Sequence, residues 1–106
     1  MFEDDLYIIS QKEVVKIGRA VDVNKRVREL QTGNPKRMFI YAIFYGMGDY
    51  ESMCHRKLAD DKIYMGGSEW FNYSDNFDYL LNKLIEIANE GNFEYRIDSR
   101  FKPRKD

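Results

Sequence analysis

The sequence predicts a small α/β domain, a three-stranded and mainly antiparallel sheet flanked by helices. Two short β-branched runs open the chain with a polar spacer between them. Two later stretches repeat apolar side chains at a helical interval, and a dense apolar and aromatic run lies between them.

Leu6-Tyr7-Ile8-Ile9-Ser10 and Val14-Val15-Lys16-Ile17-Gly18, separated by Gln11-Lys12-Glu13, read as an antiparallel hairpin. Asp22 then stands where an N-cap would, Val23, Val27 and Leu30 recur at a helical interval, and Gly33 with Asn34-Pro35 stops the run. Met38 to Tyr45 has no room for a helix before Gly46 and Gly48, so it reads as a buried third strand. Asp49 is placed to cap a second helix reaching Asp60. Gly66-Gly67 mark a loop, and Glu69-Trp70-Phe71 form a short extended piece. After Ser74, the spacing of Phe77, Leu80, Leu81, Leu84, Ile85 and Ala88 predicts an amphipathic helix ending at Gly91. Residues 1–95 are thus expected to form one domain, with 96–106 trailing as a basic, partly mobile tail.

A chain of 106 residues, 43% hydrophobic and carrying eight Tyr, seven Phe and one Trp, can bury one core. The lone Cys54 forms no internal disulfide, and no stretch resembles a signal peptide or a membrane span, so a cytoplasmic location is expected. One His and one Cys are too few for a closed zinc site, which leaves oxygen ligands for any metal. The formal charge of −1 argues against a nucleic-acid partner until its distribution is read. Residues 16–37 hold seven basic and two acidic side chains, the tail five and two, and the first five residues three acids. A solvated helix face is the plain alternative to a phosphate-binding surface.

The order of these elements, with Asp5-Leu6-Tyr7, Lys16-Ile17-Gly18, Arg26, Glu51 and Glu69-Trp70-Phe71 at set points, resembles the GIY-YIG nuclease superfamily over residues 5 to about 80. Gln31-Thr32-Gly33-Asn34-Pro35 adds a likeness to the branch common in phages, large DNA viruses and bacteria, where the second motif often begins with Lys. Asp5 replaces the glycine of the first motif, and Lys16 replaces the tyrosine of the second. The family's late asparagine has two neighbours of its expected place, Asn72 and Asn76. The resemblance implies an endonuclease that hydrolyses nucleic-acid phosphodiesters, DNA being the expected polymer, with one divalent cation, Mg²⁺ or Mn²⁺.

In that implied chemistry Glu51 is the metal ligand, since a hard cation that keeps its waters needs only one carboxylate plus substrate phosphate. Glu51, Cys54, His55 and Leu58 share one helical stripe, although an acidic residue is also favoured in a first turn by the helix dipole. Tyr7 is the implied general base or the residue that orients the attacking water. Lys16 and Arg19 are placed to supply the positive charge that favours its phenolate. Lys16 could itself hold the water or the phosphate. Arg26, eight residues past Gly18, would stabilise charge on the phosphoryl oxygens. His55 and Glu69 are supporting candidates. A core aromatic, a surface arginine and a structural histidine remain the plainer readings of Tyr7, Arg26 and His55. Arg19, Lys25, Arg28, Lys36 and Arg37 are the expected nucleic-acid contacts.

Two other functions fit the same residues: a module that binds nucleic acid without cutting it, and a protein-interaction domain that retains the nuclease fold. No membrane partner is expected. A homodimer or a targeting partner would supply a second cut or site preference.

Overall fold

The computed structural model describes residues 3–65 and 68–104. Strands β1 (Asp5–Gln11) and β2 (Val14–Ala20) form the expected hairpin, with Gln11 opposite Val14 and Lys12 in the left-handed region at φ 57°. Helix α1 (Val23–Thr32) follows. The Asp22 carboxylate accepts the Lys25 amide at 3.0 Å, which satisfies one of the first-turn N–H groups that no helical carbonyl can reach. Strand β3 (Phe39–Phe44) returns beside β1. Helix α2 (Glu51–Lys57), strands β4 (Lys62–Met65) and β5 (Ser68–Asn72), helix α3 (Asp75–Glu90) and strand β6 (Tyr95–Ile97) complete the order.

The α/β class holds, but the sheet has six antiparallel strands, in the order β4-β5-β2-β1-β3-β6, rather than three. The added strands are edges or short pieces. β4 is half exposed along its four residues and β6 has only three, so neither carries a periodic signal of its own. Both acquire strand geometry by pairing with a longer neighbour. The second helix is also shorter than expected. It begins at Glu51 after one 3₁₀ turn (Gly48–Tyr50) and ends at Lys57, and no side chain caps it, Asp49 included. The expected Gly66-Gly67 loop lies outside the described residues.

β1 is central and buried from Leu6 to Gln11, and its alternate side chains feed two cores. Leu6 and Ile8 join Cys54, Leu58, Phe77, Leu80 and Leu84 beneath α2 and α3, whereas Tyr7 and Ile9 join Val23, Val27, Ile43 and Trp70 beneath α1. α3 is bounded as its sequence implies, with Ser74 accepting the Asn76 amide and Gly91 at its C-cap. No helix among the described residues is long and apolar enough to cross a membrane.

The expected trailing tail instead lies on the sheet as far as Arg104. β6 pairs with β3, and the Ser10 hydroxyl donates to the Phe101 carbonyl at 2.6 Å. Phe101 stacks on Phe39 at 4.5 Å, and the Arg104 amide donates to Lys12. Ile97 and Phe101 supply the apolar anchors, each packing against a core built largely by earlier residues.

Candidate active site

The hairpin register sets the first two side chains. Tyr7 lies directly opposite Gly18, and a β-carbon built on Gly18 would overlap the Tyr7 hydroxyl and ring. The glycine is therefore the space through which the phenol crosses β2. Lys16 is two residues back along β2 and thus on the same face, a diagonal neighbour of Tyr7 within reach of a long side chain. β5 pairs with β2 only at Val14 and Val15, so the stretch from Lys16 onward has an open edge on that side.

Two helices close on that edge. Arg26 lies beside the buried Val23–Val27 stripe of α1 and interacts with the Tyr7 hydroxyl. Glu51, half-buried at the start of α2, acts on Tyr7 and Lys16 through its charge. Burial pushes the Tyr7 phenol above its ordinary range, the Arg26 contact and charge oppose this, and Glu51 adds to it. Burial and then Arg26 lower the Lys16 ammonium, with Glu51 and Glu69 partly offsetting them. These mutual effects bring Tyr7, Lys16, Arg26 and Glu51, on four different elements, within electrostatic range of one another. Both shifts favour uncharged forms, a phenol and an amine, so Tyr7 is not resting as the phenolate that its implied base role requires.

His55 holds α2 to the open strand. Its Nε2 contacts the Ile17 carbonyl at 2.8 Å, and because a carbonyl only accepts, Nε2 carries a hydrogen. Nδ1 lies 3.3 Å from Glu69 Oε2, and Lys62 Nζ lies 3.6 Å from the other carboxylate oxygen. His55 therefore ties α2 to β2 and fixes the helical turn that carries Glu51, with Glu69 of β5 beside its other ring nitrogen.

Other candidates are placed differently. Arg19 is engaged by Asp4 at 2.8 Å and Asp49 at 3.1 Å, so it clamps the 3₁₀ turn before α2 to β2. It is Arg26, rather than Arg19, that acts on Tyr7. Lys25, Arg28, Lys36 and Arg37 are exposed. Arg28 and Arg37 share a groove on the other flank of α1. Asn72 pairs with Val14 at the turn end of the hairpin, and Asn76 donates to Asp61 at the start of α3. Sequence reasoning missed Lys62, which engages Glu69, and the spatial role of Gly18. The latter was readable, because a turn joining Gln11 to Val14 already sets Tyr7 against Gly18.

Among the described residues no group of three His, Cys, Asp or Glu side chains converges on a metal position. Glu51 is the carboxylate that acts on both Tyr7 and Lys16, and a single carboxylate of this kind could hold only a hard cation that keeps most of its water.

A family model described as the T5orf172 domain matches residues 6–92. No curated protein and no solved structure matches the chain. β6 and the residues after it lie beyond the matched segment.

Proposed function

The chain belongs to the T5orf172 domain family, a phage-associated nuclease-type domain, and from that premise we propose that it is a metal-dependent endonuclease of the GIY-YIG type that cuts DNA phosphodiesters. The observation that supports this reading is the influence that Arg26 and Glu51 exert on both Tyr7 and Lys16 beside the open edge of β2.

Glu51 would hold Mg²⁺ or Mn²⁺, which when bound supplies Lewis-acid stabilisation of charge on the phosphoryl and leaving oxygens. Arg26 binds the non-bridging oxygens of the scissile phosphate, where a planar guanidinium offers two parallel donors. Tyr7 holds the attacking water through its hydroxyl oxygen. Because burial keeps the phenol protonated and makes the Lys16 ammonium easier to deprotonate, Lys16 Nζ in its neutral amine form would be the better final acceptor of the water's proton, becoming an ammonium. Lys16 at the tyrosine position of the second motif is thus read as a compensating base.

A module that binds without cutting is the second reading, favoured by the neutral state in which Tyr7 is held. Plasmid nicking with Mg²⁺ or Mn²⁺ separates the two. Glu51→Ala and Lys16→Met are each expected to lower the nicking rate by about 10²-fold or more. Nicking that survives Glu51→Ala, or parental protein that binds DNA and leaves it intact with every divalent ion, rejects the nuclease assignment.

A further inference from the structure

Resting on that reading, we infer that the chain grips the nucleic acid a second time, in an arginine-lined groove on the opposite flank of α1 from Arg26. Residues beyond the family match build much of it. The groove, of about 360 Å³, runs between Asn24 and Arg28 on α1 and Arg37, Phe39, Arg96 and Arg100 on β3, β6 and their flanks.

Helical spacing separates the two sites. With Val23 and Val27 facing the sheet, Asn24 and Arg28 project to one side of that stripe and Arg26 to the other. The sheet then connects them. Arg96 pairs with Ile43, and Ile43 pairs with Tyr7, so Arg96 emerges on the Tyr7 face two strands away, about 10 Å along the row.

Charge selects the occupant. Arg28, Arg37 and Arg96 make no ion pair among the described residues, whereas Arg100 is held by Asp98 through contacts of 2.6 and 2.9 Å. Four guanidinium groups against one carboxylate leave a strongly positive groove, which a chain of phosphates neutralises. The wall is rigid. Arg37 lies over Phe39 at 5.8 Å, Phe39 stacks on Phe101, and Arg100 lies over Phe101 at 5.0 Å. Ordering these cations in advance removes part of the entropy cost of binding.

The test is fluorescence anisotropy with labelled DNA duplex and single strand of roughly 24 nucleotides, without divalent metal and across a salt series. The Arg28→Gln/Arg96→Gln double variant should bind roughly 30-fold more weakly near 0.15 M salt and approach the parent as salt rises, since each lost phosphate contact removes about 0.9 from the salt slope. Asp98→Asn keeps the turn-capping acceptor but releases Arg100, so it should bind several-fold more tightly with a steeper slope. Parental affinity and slope in the double variant, a loss that does not shrink with salt, or weaker binding by Asp98→Asn would each overturn the inference. If the parent nicks nothing, the nuclease assignment fails, while the metal-free binding data still decide the groove.

Discussion

Gly18→Ala tests how the site is assembled with the smallest change available. The added methyl would overlap the Tyr7 hydroxyl and would lie 2.9 Å from ring carbon Cε2, well inside the separation at which carbon atoms attract. Neither backbone can yield easily, because β1 is hydrogen-bonded on both sides and β2 is its partner. The ring must move instead, into a cluster where Tyr7 is only 2% exposed. Overpacking of this kind costs about 1–3 kcal/mol. For a domain of this size the loss appears as a fall in Tm of roughly 4–20 °C. The hydroxyl moves with the ring, and a displacement of about 1 Å at a reacting centre costs on the order of 10²-fold in rate. Thermal melts and plasmid nicking read the two effects separately. In a Tyr7→Leu background the methyl has no ring to meet, so Gly18→Ala should cost less there, with a coupling of about 0.5–3 kcal/mol. A parental Tm in the single variant, or an undiminished cost in the Tyr7→Leu background, would refute the crossing of β2 by the ring.

The other ionisable groups give two checks on the cores. Burial pushes the Cys54 thiol from 9.0 to about 12, so at pH 8 the native protein carries about 10³-fold less thiolate than the unfolded chain and should react with a thiol reagent at least 10²-fold more slowly than in urea; rapid native labelling would contradict this burial. Tyr7 is raised above 10.0 by burial, so the folded state holds its proton longer than the unfolded state. Its contribution to stability is complete below about pH 10 and is lost as pH rises through the folded value. Urea melts above pH 10 should therefore lose stability less steeply in Tyr7→Phe than in the parent, and identical slopes would show that burial does not raise the phenol.

Much of the frame was legible because single residues act locally. Asp22 and Ser74 announce two helix starts, and the apolar stripe from Phe77 to Ala88 is long enough to show its period. That Arg26 and Glu51 act on Tyr7 was suggested only by their joint spacing, since each has an ordinary structural alternative. What escaped depends on distant partners. Asp49 looks like a cap in sequence, but its carboxylate is drawn to Arg19 across the fold. Residues 95–97 look polar and unstructured, yet they gain strand geometry from the edge that β3 presents. Lys62 shows no sign of engaging Glu69 until β4 and β5 pair.

The sheet separates the charges that sum to −1, which is how the proposed nucleic-acid partner is compatible with that total. α3, on one face, carries Asp75, Asp78, Glu86 and Glu90 against Lys83, whereas α1, on the other, carries Lys25, Arg26 and Arg28 against Glu29. Arg19 and Lys62 are engaged by carboxylates, while Lys16, Arg26, Arg28, Arg37 and Arg96 make no ion pair among the described residues. At physiological salt charges are screened beyond about 8 Å, so a bound phosphate responds to the nearer face and hardly at all to α3. The opposing faces then act as a dipole that turns the α1 side toward an approaching polyanion. Affinity for the proposed polyanion would then be set by the unpaired cations of that side, and the whole-chain average is a poor guide to it.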